Sequence, residues 1–350
     1  MRALYCPSSS YFDEGVKQYA GWWRILEYQK EAIEGAGYEV ICPQVPGEYL
    51  DKASSFSEIG SYSLYLSQFV DDTIDLVIGA PSFAHHSIFR ASANPKIKKV
   101  VCLWNQADWF RQKQVAPEYK KFGIPFPTLP INTLMNELSL KLSDTVIANS
   151  HFTRKTHAEI VPESKIKVAM WGVDSERFHP GGREGFKVLF FGSNPVRKGF
   201  TYLWEALTSC RESLGDFEFW VLGCEPVSGE LPPNMKVFGL VPNVQVPEII
   251  RQCHVMVLPT LEDGMPLGVQ ECMASGVVPI ATECAAEAFE HYRSGFVIPY
   301  RDPEAIARYL VVLRDNPVLL GCMSKEARRK AETQTWAKYK QQFADILKEV

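Results

Sequence analysis

Residues 259–276 read PTLEDGMPLGVQECMASG, which sets Asp263 and Glu271 eight residues apart across a Gly-bearing turn and a helix of small residues. The preceding run, His254-Val255-Met256-Val257-Leu258, is short, apolar and β-branched. It predicts a buried parallel strand that Pro259 and Gly264 bring to an end. From Leu267 to Ala274 the chain predicts a helix, with Ser275-Gly276 as its stop signal. Asp263 then lies in the loop beyond a strand end, and Glu271 rides on the helix that follows. In open α/β sheets ligands bind outside the carboxyl ends of the strands, where helix N-termini offer backbone donors to phosphate. Carboxylates there suit sugar hydroxyls. Taken alone, the same pair also fits a solvated loop acid and a surface helix acid, so the remainder of the chain has to decide.

That remainder alternates short strands with helices. Strands are predicted at 3–6, 39–42, 76–78, 100–103 and 145–148, with a helix from about 16 to 35. The pattern repeats with strands at 187–191, 218–222, 236–238, 254–258 and 278–281. Such alternation predicts α/β architecture with parallel sheets. At 350 residues the chain is too long for one ordinary core and suits two domains of roughly 150 to 180 residues. Pro180, Gly181, Gly182 and Gly185 mark a linker. The expected division is a first domain over 1–178, a second over 179–332 and a closing helix in 333–350. Trp336, Tyr339, Phe343 and Ile346 recur on that helix at three- and four-residue steps, giving it a packing face.

A net charge of −4 argues against a nucleic-acid partner held by phosphate neutralisation. The nine cysteines are scattered, with no C-x2-C pair, and read as free buried thiols of a reducing cytoplasm. Met1 to Pro7 reads as a strand start rather than a signal peptide, and no apolar run approaches the roughly 20 residues that span a bilayer. Between residues 90 and 121, Arg90, Lys96, Lys98, Lys99, Arg111, Lys113, Lys120 and Lys121 outnumber Asp108 and Glu118. The cluster could meet an anionic lipid surface at the membrane periphery or a phosphorylated acceptor, or be a solvated basic face.

Several ordered motifs resemble those of retaining family 4 glycosyltransferases. Residues 259–276 resemble the family's E-x7-E motif, with Asp263 in place of the usual first Glu. Phe190-Phe191-Gly192-Ser193, then Arg197-Lys198-Gly199, is similar to its strand, turn and x-K-G loop. Residues 144–153 (DTVIANSHFT), 171–178 (WGVDSERF), 237–242 (VFGLVP) and 294–299 (SGFVIP) resemble further motifs, so the likeness runs from about 144 to 336. It implies the GT-B fold: two Rossmann-like parallel-sheet domains facing across a cleft, the first for the acceptor, the second for a nucleotide sugar, and a last helix packing back on the first. It implies hexosyltransferase-like transfer from a UDP- or GDP-linked donor to the hydroxyl of a glycan, lipid-linked or small-molecule acceptor. Neither cofactor nor metal is implied, and no D-x-D stands near a strand end.

The resemblance also assigns residues. Lys198 would meet the donor diphosphate beside a helix N-terminus, Asp263 the donor sugar and Glu271 the ribose. Gly192, Ser193, Gly239, Leu240, Met265, Pro266 and Leu267 would line the nucleotide. Ser193 stands where the family carries an arginine; Arg197 either replaces that cation or turns to solvent. On the acceptor side the family's Gly-Gly loop is missing from residues 8–15, and no His follows the strand 100–103. Asn105 or Asp108 would supply the polar contact there, with Trp104 and Trp109 suited to stacking on a sugar face. His85 and His86 follow the strand 76–78, on either a cleft loop or a solvated turn. These departures leave a second reading, a non-catalytic nucleotide-sugar-binding partner subunit. A dinucleotide oxidoreductase is disfavoured because no G-x-G-x-x-G follows the first strand.

Overall fold

The computed structural model describes residues 1–8, 18, 23–46, 59–128, 130–226 and 234–350. They divide into two units: Met1–Asp108 with Pro125–Met170 and Trp336–Val350, and Trp109–Ile124 with Trp171–Thr335.

The first unit is built on β1 (Arg2–Cys6), β2 (Glu39–Ile41), β3 (Leu76–Gly79), β4 (Lys98–Leu103), β5 (Thr145–Ala148) and β6 (Ile166–Val168). All pair in parallel, in the order β2-β1-β3-β4-β5-β6. β3 and the Val100–Leu103 part of β4 are buried residue after residue, as strands covered on both faces must be. β6 is the strand of this unit that hydrophobic pattern misses: three residues with Lys167 exposed between Ile166 and Val168 carry too little periodicity. The helices Ile59–Ser67, Pro81–Ala91 and Pro130–Leu142 pack side by side. The helix Trp23–Gly35 takes the final helix, Trp336–Lys348. Tyr339, Phe343 and Leu347 are its buried residues at four-residue steps, while Ile346 is only half-buried. Trp336 stacks on Tyr28 with ring centroids 4.5 Å apart. The predicted start of the helix at 16–22 and the loop 9–15 lie outside the described residues, apart from Gln18.

The second unit contains β7 (Lys187–Phe191), β8 (Glu218–Leu222), β9 (Met235–Gly239), β10 (Val255–Leu258), β11 (Val278–Thr282) and β12 (Phe296–Ile298). The parallel order β12-β11-β10-β7-β8-β9 is that of a doubly wound sheet. Strand order reverses between β7 and β10, so the crevice at their carboxyl ends is the natural ligand position. The stretch 259–276 leaves β10 at that point. The helix Asp108–Lys121, which precedes β5 in sequence, groups through residues 109–124 with this second unit.

Candidate functional site

The site grows from two loops, one after each strand at the switch point. After β7, the Gly192 amide donates to the Leu222 carbonyl at 3.0 Å, and the chain then closes a turn on Asn194. The side-chain oxygen of Asn194 accepts from the Arg197 amide at 3.0 Å, and its carbonyl accepts from the Lys198 amide at 2.8 Å. Gly199 follows at φ +71° and opens the helix Phe200–Ser209; a Cβ there would drive into the Pro259 carbonyl oxygen of the second loop. The Leu261 amide donates to the Arg197 carbonyl at 2.9 Å, which ties the loops together.

Across this junction two consecutive cations face two consecutive acids. The Arg197 guanidinium meets the Glu262 carboxylate at 3.2 Å and its carbonyl at 2.8 Å, while the Lys198 ammonium pairs with Asp263. Lys198, Glu262 and Asp263 are all buried. Burial pushes the Lys198 pKa well below the usual lysine range; neighbouring Arg197 adds to the shift, and Glu262 opposes it. Arg197 is therefore not turned to solvent, because a buried carboxylate left without a cation would be costly. Glu262 was not singled out from the sequence. The signal was present as the matched dipeptides Arg197-Lys198 and Glu262-Asp263. Close by, the Cys284 thiol, free and buried as expected of the cysteines, donates to the Thr260 carbonyl at 3.6 Å, and burial pushes its pKa up to about 11.

Glu271 sits partly buried on the helix Leu267–Ala274, whose bounds coincide with those predicted. Gly268 lets this helix approach β7, since a Cβ there would lie 2.8 Å from the Phe191 ring. Its C-terminal carbonyls receive cations: Arg328 donates to Ala274 at 2.7 Å and Arg183 to Ser275 at 2.5 Å, complementing the helix dipole. Met265 is buried, and Pro266 and Leu267 form the helix entry. Gly239 ends β9 at φ +58°, and Leu240 beyond it is exposed. Ser193 is exposed too. Gly192, Arg197, Lys198 and Asp263 thus come together at the ends of β7 and β10, with Gly239 and Leu240 at the end of β9.

In the first unit the carboxyl ends of the strands carry hydrogen-bonded amides and hydroxyls. Asn136 donates to Asp108 at 3.1 Å and accepts from Ser82 at 3.1 Å, while Asn149 donates to the Trp104 carbonyl at 2.8 Å. Asn105 is exposed. Trp109, also exposed, belongs to the second unit. His85 and His86 are not on a loop or solvated turn: they lie on the helix Pro81–Ala91 with rings 4.1 Å apart. Burial, followed by the charge of His86, lowers the His85 pKa to about 4. The basic segment 90–121 divides between the two units, and within it Lys99 pairs with Asp144 at 2.9 Å and Lys121 with Glu118 at 3.1 Å. All nine cysteines are free, and all but Cys42 and Cys322 are buried. No helix among the described residues is long and apolar enough to cross a membrane.

Residues 185–316 match the family described as glycosyl transferases group 1. This stretch is similar to a group 1 glycosyltransferase domain. It holds β7 to β12 and every candidate residue above from Gly192 to Glu271, in keeping with the family 4 resemblance of the motifs. The amylovoran biosynthesis glycosyltransferase AmsK of Erwinia amylovora is 25% identical over 257 residues, 67% of this chain and 60% of its own length. An Escherichia coli UDP-Gal:alpha-D-GlcNAc-diphosphoundecaprenol alpha-1,3-galactosyltransferase is 27% identical over 195 residues, 49% of this chain and 50% of its own length. The chain therefore spans only about half to three-fifths of the length of such relatives. Among solved structures, sucrose-phosphate synthase from Thermosynechococcus elongatus aligns over 100% of this chain and 99% of its own, at TM-score 0.77 and 14% identity. Anabaena HepE, solved with UDP and glucose, aligns over 100% of both chains at TM-score 0.65 and 14% identity. The fold shared with these two structures is GT-B.

Proposed function

We propose that this protein is a retaining glycosyltransferase that moves a sugar from a UDP- or GDP-linked donor to an acceptor hydroxyl. The observation that carries the reading is the placement of Arg197-Lys198 against Glu262-Asp263 at the switch point of a domain similar to the group 1 glycosyltransferases. A nucleoside diphosphate leaving group needs positive charge where the anomeric bond breaks, and Lys198 lies beside the N-terminus of the helix Phe200–Ser209. Lys198 exchanges its Asp263 partner for the diphosphate, which frees the Asp263 carboxylate to accept from donor-sugar hydroxyls. Glu271 accepts from the ribose hydroxyls, and Gly192, Ser193, Gly239, Leu240, Met265, Pro266 and Leu267 border the nucleotide. Arg197, held by Glu262, shapes the loop and contributes field rather than direct contact.

Because a lysine and a helix end carry the charge, the reading takes transfer as metal-independent. The departing phosphate assists deprotonation of the acceptor hydroxyl on the same face, so no protein base is required. UDP is named with both HepE and the galactosyltransferase relative, which favours a UDP-linked donor. The acceptor of that relative is lipid-linked, and a similar acceptor would bring this protein to the cytoplasmic membrane periphery. The test is release of UDP or GDP from a panel of nucleotide sugars, without divalent metal, by the wild type, Lys198→Ala and Glu271→Ala. Release abolished in both variants supports the reading. Donor binding without release, whatever acceptor is added, would replace it with a non-catalytic partner subunit.

A further inference from the structure

The helix Asp108–Lys121 is fastened to the second unit by contacts unrelated to its own amphipathicity. Arg301, a non-glycine residue at φ +60°, donates to Glu118 at 2.8 Å and to the Gln114 side chain at 2.9 Å. It also donates to the Gln114 carbonyl at 2.5 Å. A residue with a Cβ adopts this left-handed backbone only where its surroundings enforce it. Glu118 is buried and takes a second cation, Lys121, which also reaches the Tyr202 hydroxyl at 3.4 Å. Phe110 packs edge-on against Tyr300 at 6.4 Å. One bond from this anchored helix goes to the turn that presents Lys198: the buried Tyr119 hydroxyl accepts from the Asn194 side-chain amide at 2.8 Å.

Asn194 has no slack in this arrangement. Its nitrogen is held by Tyr119, its side-chain oxygen by the Arg197 amide and its carbonyl by the Lys198 amide. Fixing the nitrogen also fixes which way the amide oxygen faces, and so holds the turn closed behind Lys198. We infer that Tyr119 is a positioning residue, acting through Asn194 to hold the 194–198 turn in the form that aims Lys198 at a diphosphate. The consequence for catalysis rests on the reading under Proposed function; the consequence for the turn does not.

Two measurements on the full chain separate these. In ligand-free protein, Tyr119→Phe deletes one hydroxyl and should speed hydrogen exchange of the Arg197 and Lys198 amides by about threefold to tenfold, the range of one hydrogen bond. Exchange across the rest of the helix Asp108–Lys121, anchored by Arg301, should stay unchanged. No change at Arg197 and Lys198, or faster exchange along the whole helix, overturns the inference. In titrations with UDP and with GDP, Tyr119→Phe should weaken binding by a similar factor. The double variant with Asn194→Ala should bind no worse than Asn194→Ala alone, and additive losses would overturn action through Asn194. If the wild type binds neither nucleotide, the donor reading fails, and the exchange result still decides whether Tyr119 holds the turn.

Discussion

The two sheets share one architecture and a lysine–carboxylate pair at the amino ends of their strands, Lys99–Asp144 in the first and Lys187–Glu218 in the second, but differ in the charge at their carboxyl ends. In the first unit the buried Lys99 lies at the start of β4, paired with Asp144 just before β5, at the amino ends of the strands. Its carboxyl ends hold Ser82, Asn136 and Asn149, with Asp108. In the second unit Arg197, Lys198, Glu262 and Asp263 crowd the carboxyl ends of β7 and β10. A charge pair at the amino end stitches adjacent strands together. On the function proposed above, the same kind of pair at the carboxyl end of a switch point is stored binding capacity. Position on the sheet, more than residue type, then separates the pair that joins strands from the pair proposed to meet a ligand.

That contrast can be broken by substitution. The largest expected effect is Arg197→Ala, which leaves Glu262 buried without a cation and should cost roughly 3–5 kcal/mol of unfolding free energy in denaturant titrations. A cost below about 1 kcal/mol would mean the pair is loosely held and the second unit resembles a surface. Lys198→Ala should lower kcat/KM at least about 100-fold, roughly 2.7 kcal/mol of transition-state stabilisation. The same substitution at Lys99 should cost stability without a specific loss of donor turnover.

A pH titration sharpens the comparison from the neutral side. Burial lowers the pKa of His157 in the first unit, and of His254 in the second, to about 4. A folded pKa below the unfolded value means the unfolded chain binds more protons between about 4 and 6.5. Stability is therefore full above that window and falls as pH drops through it. His157, buried with its Nδ1 donating to the Thr153 carbonyl at 2.9 Å, should account for up to roughly 3 kcal/mol of this slope. His157→Gln should flatten the dependence of the denaturation midpoint on pH between 6.5 and 4; an unchanged slope would mean His157 is not the titrating group. The smallest effect belongs to a pair at neither end of a sheet. Lys340, 2.7 Å from Glu31 on exposed helix faces, should cost less than about 1 kcal/mol when changed to Ala.

The sequence exposed most of the scaffold because buried parallel strands write themselves as apolar runs, and the helix Leu267–Ala274 has Pro266 before it and Ser275-Gly276 after it. β6 stayed hidden because three residues with a central lysine carry no period. The candidate site was legible as residue types in order, Lys198, Asp263 and Glu271 among them. The pairing of Arg197 with Glu262 was not, because it joins loops 65 residues apart. His85 was read as a loop residue because a strand had just ended, whereas Pro81 at the first turn starts a helix at once. Nothing in the periodicity of residues 109–124 announces the unit they belong to, since Arg301 and Asn194 fasten them from far along the chain.

The allegiance of residues 109–124 also bears on how such proteins can be recombined. The chain leaves one unit for the other after Asp108, Ile124, Met170 and Thr335. A chimaera joined at the Gly-rich linker near residue 180 would import the second sheet without its Glu118 and Tyr119 helix, and would carry away the helix that covers Trp23–Gly35. Modules of this protein that can be exchanged intact are therefore discontinuous in sequence. A donor-specificity graft should transplant 109–124 together with 171–335 and leave the final helix with its original host.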